Sequence, residues 1–148
     1  MAGNVSSSNG WVGRSIPRVE DARHLTGRSM FVDDIERPRI LYAAFVRSPF
    51  GAATVKEVSV EDALEIPGVE KVITRSDLEG IPGLEPMLHR TEFVGVELAL
   101  LSGESIRHAG EPVAMVLSDS PHTAEDGADT VQVNYERQEP VVSLAAAL

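Results

Sequence analysis

Apolar and polar positions are most regular between residues 106 and 136, where they predict a strand, a helix and a second strand. Residues 112–117, Pro-Val-Ala-Met-Val-Leu, form an almost unbroken apolar run of strand length. Such a run favours a central strand that is covered on both faces. Residues 131–136 instead place apolar side chains at every second position, which predicts a strand with one buried face.

The helix between these strands has a clear start and one apolar face. Ser120 offers an N-cap oxygen and Pro121 a preset φ at the first helical position, and the helical pattern continues to Thr130. Ala124 and Ala128 recur four residues apart, and the small size of these side chains predicts a close approach to a sheet. The acidic residues beside them are expected to face water or a partner.

A second strand-helix-strand unit precedes this one. Residues 53–60 have the composition of a strand with one partly buried side. Ser59 and Asp62 have nearly the spacing of a capping box, so a helix of about two turns is expected to begin here and to end before Pro67. Residues 69–74 follow as a short strand. Two such units predict an α+β domain built of paired layers.

The first 50 residues are predicted to contain extended chain and two strands. Residues 12–26 show neither a helical nor a strand period, so extended chain is expected there. Residues 28–32 and 40–47 have the composition of strands, and the second is apolar enough to be buried. Asp33 and Asp34 lie between them, where turn formation explains them better than cation binding, because two carboxylates alone make a poor calcium site.

Residues 76–105 form a long loop region with room for one short helix, because glycines and prolines interrupt any period. Loops of this length in a compact domain are usually functional, disordered or covered by another chain. Residues 86–89 and 93–96 are too apolar for a freely solvated linker. We therefore expect this region to be buried against a partner or a following domain.

Length and charge restrict the class of protein. A chain of 148 residues fits one domain with one core. The net charge of −10 arises after residue 30, because the first 30 residues contain four arginines against two acidic side chains. An acidic body disfavours nucleic acid and anionic membranes as partners. No apolar run approaches the roughly 20 residues that span a bilayer, and no signal peptide is recognisable, so a cytoplasmic protein is expected.

The side chains suggest no catalytic or metal-binding set. Cysteine is absent, which excludes thiolate metal sites within this chain. The four histidines lack metal-pair spacing, and nucleotide-binding glycine motifs and a nucleophile elbow are missing. Glu111 lies beside a strand entry and could act as an acid or base if buried. The simpler interpretation is that Gly110 turns the chain and Glu111 caps or pairs at the strand edge.

Several segments, in order, resemble one known family. Residues 110–142 contain a Gly-Glu-Pro-Val-Ala strand, an alanine-rich acidic helix and a Val-Gln-Val-Asn-Tyr-Glu strand followed by a proline. Four segments of the amino-terminal half match as well, namely 12–18, 25–28, 31–35 and 44–49. Together they resemble the a/b hammerhead domain that begins the molybdopterin-binding large subunit of the xanthine dehydrogenase, aldehyde oxidase and aerobic carbon monoxide dehydrogenase family.

The resemblance implies an α+β, hammerhead-like fold over residues 12–142, with a mixed sheet and two strand-helix-strand units. Residues 1–11 are then a disordered tail, and residues 143–148 a carboxy-terminal linker or truncation point. The implied enzyme is a molybdenum hydroxylase or dehydrogenase that contains molybdopterin, two 2Fe–2S clusters and often FAD. The family's pterin-binding loops and catalytic glutamate lie in later domains, so no catalytic, cofactor-binding or metal-binding residue is expected in this chain.

The resemblance also implies a scaffolding role. The expected partners are the molybdopterin-binding chain or following domains, the iron–sulfur subunit and, in some enzymes, an FAD subunit. Arg14, Arg18 and Arg47 are the candidate subunit contacts, because arginine forms bidentate pairs with carboxylates; the alternative for the first two is solvated charge on a mobile arm. Two rival functions remain open: a free-standing protein-interaction module derived from this domain, and an unrelated small enzyme that uses the carboxylates discussed above.

The purified chain is expected to be colourless and to contain no stoichiometric molybdenum, iron or flavin. Its sequence has neither cysteine nor segments that resemble the family's pterin-binding loops. Elemental analysis and a visible absorption spectrum test this expectation. A molybdenum content of one atom per chain would contradict it.

Overall fold

The computed structural model describes residues 15–87, 90, 92, 95 and 97–147. The chain divides into two compact units, Met1–Pro38 and Arg39–Leu148. The tail predicted at residues 1–11 lies outside the described residues, as do parts of the long loop after residue 87. The domain boundaries drawn from the sequence remain predictions.

The first unit contains a helix that the sequence pattern does not predict. The helix α1 (Asp21–Leu25) lies within the segment for which extended chain is predicted, so that prediction is wrong over these five residues. Asp21 in the first turn and Arg23 and His24 in the last turn suit the helix dipole. The helix buries none of its residues, and its five residues are too few to show a helical period in the sequence.

A tight turn takes the place of the strand predicted at residues 28–32. Val32–Asp34 forms a single 3-10 turn, and the Phe31 amide donates to Asp34 Oδ2 over 2.8 Å. The strand prediction is wrong, since no strand lies among the described residues of this unit and an unpaired strand is not stable in water. The turn predicted at Asp33 and Asp34 is confirmed.

The described residues of the second unit form six strands and three α-helices. The strands are β1 (Tyr42–Arg47), β2 (Ala53–Ser59), β3 (Val69–Ile73), β4 (Ser105–Ile106), β5 (Pro112–Ser118) and β6 (Gln132–Arg137). The helices are α2 (Glu61–Leu64), α3 (Pro121–Thr130) and α4 (Leu144–Ala147), and a 3-10 helix spans Arg75–Leu78. Antiparallel pairing gives two three-stranded sheets, in the orders β1-β5-β3 and β4-β2-β6.

Both predicted strand-helix-strand units are present, as β2-α2-β3 and β5-α3-β6, and the α+β class is confirmed. Each unit begins in one sheet and ends in the other, which differs from the single mixed sheet suggested by the sequence. The nine residues between β2 and β3 are too few for a parallel crossover, which needs about a dozen. The helical connections therefore join two antiparallel sheets.

The position of a strand within its sheet decides how much of it is buried. β5 is the central strand of its sheet, as predicted, and β1 is an edge strand. The prediction that the strand at residues 40–47 is buried is wrong for one of its two faces, because burial alternates along β1. Val46 packs against the core, whereas Phe45 is 43% exposed. One face of β1 is thus covered and the other is open to water.

α3 packs closely on the β1-β5-β3 sheet. Ser120 Oγ accepts the Thr123 amide at 3.1 Å, so the predicted N-cap is confirmed. Ala124 and Gly127 are buried, and a Cβ added at Gly127 would lie 2.8 Å from Val116 Cγ1. The predicted close approach is confirmed, and it involves a glycine that the apolar stripe did not include.

α2 is shorter than predicted and lacks the expected cap. The helix has four residues, and Val60 at its N-cap position makes no side-chain hydrogen bond. The capping box predicted for Ser59 and Asp62 is wrong, since Asp62 accepts from Gln132 Nε2 at 3.3 Å. The Asp62 carboxylate, which was predicted to cap α2, therefore accepts a hydrogen bond from β6 instead. Ala63, which is completely buried, anchors the helix.

The core extends through both sheets. One group of buried side chains lies under the helices and consists of Ala63, Val72, Ala114, Val116 and Val131. A second group consists of Ala53, Ile106 and Val113. Val58 and Val133 pack against both groups, so the two sheets share one continuous apolar interior.

Gly127→Ala is expected to destabilise the second unit, although alanine favours a helix by about 1 kcal/mol over glycine. The new Cβ would meet the β-branched Val116, and overpacking of this kind typically costs about 1–3 kcal/mol. Asp129→Ala is the matched control, because it also introduces alanine into α3, at an exposed position. Chemical denaturation measures both free energies of unfolding. If Gly127→Ala changed the free energy of unfolding in the same way as Asp129→Ala does, this result would contradict the close packing of α3 on β5.

Candidate functional site

The loop that leads into β5 is built around a buried carboxylate. Glu111 is 4% exposed, and its Oε2 accepts the Arg107 amide at 2.6 Å. Arg107 Nη2 lies 3.2 Å from Oε1, and His108 Nδ1 lies 3.6 Å from Oε2. Gly110 turns the chain with a φ of 84°, a conformation that glycine adopts without a steric penalty.

Hydrogen bonds tie the same loop to the end of β1. The Ser48 amide donates to the Glu111 carbonyl at 2.9 Å, and the Gly110 amide donates to the Ser48 carbonyl at 2.8 Å. Arg47 Nη1 donates to the Gly110 carbonyl at 2.9 Å. Because local donors engage both oxygens of Glu111, this residue holds the loop in place. The geometry supports strand-edge pairing as its role, in preference to acid or base catalysis.

The predicted subunit contacts are not gathered in one place. Arg14 lies outside the described residues. Arg18 is exposed in the first unit, where its amide donates to Asp21 Oδ2 at 3.3 Å. Arg47 belongs to the second unit, and its guanidinium carbon lies 5.3 Å from the centre of the Phe45 ring, which is within cation–π range. Arg47 therefore has a defined orientation at the edge of its sheet.

Among the residues that the structure describes, no three acidic or histidine side chains lie close enough to share a metal ion. His24 lies near Phe31, with 5.3 Å between the ring centres, and His108 lies in the loop before β5. His122 is exposed at the start of α3, and His89 falls outside the described residues. Within the described residues, no helix is both long enough and apolar enough to cross a membrane.

Among the described residues, two titratable groups have displaced pKa values, each with a structural cause. Burial raises the pKa of the Tyr135 phenol above its usual value of 10.0, and a hydrogen bond with Ser48 opposes this shift. The Thr74 amide, which donates to Asp77 Oδ2 at 2.9 Å, lowers the pKa of the Asp77 carboxyl. The Thr74 hydroxyl and Lys71 add to the same effect. The Tyr135 shift thus arises from packing, and the Asp77 shift arises from the cap of a 3-10 helix.

Large apolar side chains are exposed in the first unit and in the loop after β3. Val19 is 97% exposed and Met87 is 100% exposed. The other exposed side chains of these regions are Ile16, Leu25, Met30, Phe31, Val32, Ile35, Ile81, Leu84 and Leu98. Exposed apolar side chains in such numbers are typical of interaction surfaces. Each of the two units therefore carries a candidate interaction surface of its own.

Sequence reasoning found only the second of these candidate surfaces. It indicated the apolar loop, although residues 88, 89, 93, 94 and 96 lie outside the described residues. In the first unit it predicted extended chain at residues 12–26 and a strand at 28–32, and it weighed an interaction role for the arginines there without the apolar side chains. The missed signal is the number of large apolar residues in a segment too short to bury them.

Glu111→Ala is expected to destabilise the second unit by about 1–3 kcal/mol, because it leaves the Arg107 amide without its acceptor. Arg107→Ala is the matched control. Its side chain is 47% exposed, and its removal leaves the Arg107 amide bonded to Glu111, so a smaller loss of stability is expected. Denaturant midpoints of the two variants measure the difference. Equal losses of stability in the two variants would show that the ion pair with the Arg107 side chain holds the loop, and that the hydrogen bond from the Arg107 amide does not.

The sequence matches the family model for the a/b hammerhead domain of aldehyde oxidase and xanthine dehydrogenase over residues 26–139. The nicotine 6-hydroxylase large subunit of Paenarthrobacter nicotinovorans is 37% identical over 132 residues. The carbon monoxide dehydrogenase large chain of Hydrogenophaga pseudoflava is 32% identical over 129 residues. These alignments cover 88% and 87% of this chain. The chain spans only 16% of the length of each of these relatives.

Solved structures agree with the sequence comparison. Quinoline 2-oxidoreductase from Pseudomonas putida 86 superposes with a TM-score of 0.83 at 36% identity, over 91% of this chain and 17% of that one. The aldehyde oxidoreductase from Desulfovibrio gigas superposes with a TM-score of 0.81 at 27% identity, over 88% of this chain and 15% of that one. On these matches, which extend over most of its length, the chain belongs to the aldehyde oxidase and xanthine dehydrogenase family and carries the a/b hammerhead domain of that family.

Proposed function

We propose that this chain is the non-catalytic hammerhead domain of a molybdenum hydroxylase, either within a large chain or as a split subunit. In this role it supports the molybdopterin-binding domains and contacts the iron–sulfur subunit. The observation that carries the proposal is the exposure of large apolar side chains, such as Val19 and Met87, on a domain whose family consists of much larger enzymes.

The names of the relatives favour a role that does not depend on the substrate. Relatives are named for nicotine, carbon monoxide and xanthine, and one solved structure is named for quinoline. Their identities to this chain lie between 29% and 37%. A domain that resembles enzymes for such different small molecules to a similar degree fits a shared structural task better than the recognition of one substrate.

Burial of the exposed apolar side chains provides the free energy for association. A fully buried side chain of the size of valine or methionine contributes about 1.5–3 kcal/mol. Association also costs translational freedom and side-chain ordering, so several of these side chains must be covered together. In the first unit, α1 buries none of its own residues. A partner surface therefore supplies the burial that this unit does not achieve by itself.

The described residues offer no glycine-rich loop that could cradle a molybdopterin phosphate. Open space at the Cβ position is found at Gly27, Gly80, Gly103 and Gly110, but the sequence places none of them in a phosphate-binding glycine motif. The buried Glu111 carboxylate is already engaged by local donors. The proposal therefore assigns no bond-making step to this chain, and the molybdopterin, iron–sulfur and FAD groups are assigned to other parts of the implied enzyme.

A free-standing interaction module derived from the same domain is the second candidate function. The exposed apolar side chains favour it equally, because an apolar surface does not by itself specify a molybdenum-containing partner. The relatives favour the enzyme assembly, since in them the aligned segment makes up 16% of a large chain. Co-purification with a large molybdenum-containing chain distinguishes the two.

Co-expression with a relative's large chain that lacks its own hammerhead domain is expected to give a soluble complex with molybdenum and activity. The nicotine 6-hydroxylase large subunit, 37% identical over the shared segment, is a suitable partner. Without the present chain, insoluble or cofactor-free protein is expected, because apolar surfaces then remain exposed. Size-exclusion chromatography, metal analysis and turnover measure the outcome.

The intact large subunit, with its own hammerhead domain, is the control for expression and cofactor loading. A fully active, molybdenum-loaded enzyme formed from the shortened chain alone would refute the assembly role. Stable association that does not increase the molybdenum content would favour the interaction module.

A further inference from the structure

One face of the β1-β5-β3 sheet carries two rows of side chains that cross all three strands. The first row is Phe45, Met115 and Ile73, and the second is Ala43, Leu117 and Lys71. Side chains at paired positions point to the same side of a sheet. Five apolar side chains and one lysine therefore share a single surface, which we call the Phe45 face.

The opposite face of this sheet is closed by the helices. Ala114 and Val116 are completely buried there, and α3 packs against it. On the Phe45 face, Phe45 is 43% exposed, and Met115 and Leu117 are only partly buried. At the start of β5, Val113 packs with the second sheet, so the uncovered area begins beyond this residue.

The sequence of β5 predicts that both faces of the strand are buried. A continuous apolar run of this kind is typical of a strand with two buried faces. A strand that met water on one face would be expected to alternate, as β6 does. The described residues cover one face of β5 fully and the other only in part, so the apolar character of Met115 and Leu117 requires a further surface.

One cation lies beside the Phe45 face and a second lies within it. Arg47 lies 5.3 Å from the centre of the Phe45 ring and is exposed. The Lys71 side chain is 56% exposed, with its Nζ 3.3 Å from Asp77 Oδ1. On a chain with a net charge of −10, these cations favour a partner that places carboxylates at the edge of the contact.

We infer that the Phe45 face is the docking surface for the molybdopterin-binding part of the large chain, which meets it with an apolar surface edged by carboxylates. The inference rests on the proposed function and names the surface through which the domain performs it. In the relatives the aligned segment makes up 16% of the large chain. The remaining polypeptide is the partner that accompanies this domain and is available to cover the face.

The test compares Phe45→Glu with Leu64→Glu, each co-expressed with the nicotine 6-hydroxylase large subunit that lacks its own hammerhead domain. Phe45 and Leu64 are 43% and 48% exposed, so water can hydrate either glutamate in the free chain. Leu64 lies on α2, which packs against the other face of the sheet through Ala63. Relative to the wild-type chain, Phe45→Glu is expected to lower the amount of complex recovered by about tenfold or more, and Leu64→Glu by less than about twofold.

Hydrogen exchange of the wild-type chain is a second measurement that needs no variant. On complex formation, amide exchange is expected to slow in β1 and to stay unchanged in α2. Equal recovery of complex with the two variants, or unchanged exchange in β1 within a complex that forms, would overturn the docking face and leave the proposed function intact. Failure of the wild-type chain to bind would overturn both. Self-association that Phe45→Glu abolishes would assign the face to a second copy of this chain and so reject the partner inferred above.

Discussion

The close packing of α3 on β5 is the contact on which the rest of the second unit depends. Gly127 allows the helix to approach Val116 without a side chain between them, and the Ser120 cap fixes where the helix begins. Because α3 follows a strand of one sheet and precedes a strand of the other, this contact also sets how the two sheets meet. The shared interior around Val58 and Val133 follows from it.

A second constraint acts where β5 enters its sheet. Glu111 holds the preceding loop, and the backbone of that loop is bonded to Ser48 at the end of β1. Arg47 connects this anchor to the surface, because it donates to the Gly110 carbonyl and also lies over the Phe45 ring. The residues that fix the edge of the sheet therefore also orient the cation at the rim of the Phe45 face.

The distribution of apolar residues is easier to understand for part of an assembly than for an isolated domain. Side chains such as Met87 and Val19 are fully or almost fully exposed, and leaving them in water forgoes the free energy that their burial would provide. The acidic body, in which the whole net negative charge of the chain arises, keeps the remaining surface hydrated. In the proposed assembly role, the domain would contribute stability and position to an enzyme whose chemistry is carried out elsewhere.

The sequence by itself determined the features that depend on neighbouring residues. The Ser120 and Pro121 start of α3, the apolar run of β5 and the alternation of β6 are local patterns, and the structure contains all three. Ordered family-like segments also sufficed to recognise the hammerhead domain, which the family match confirms. Only the tertiary structure decided the division into two sheets, the edge position of β1, the contact of Asp62 with Gln132 and the row of Phe45, Met115 and Ile73. Strand order and register bring together residues far apart in the chain, and a local pattern states which side chains must be buried without stating which partner will cover them.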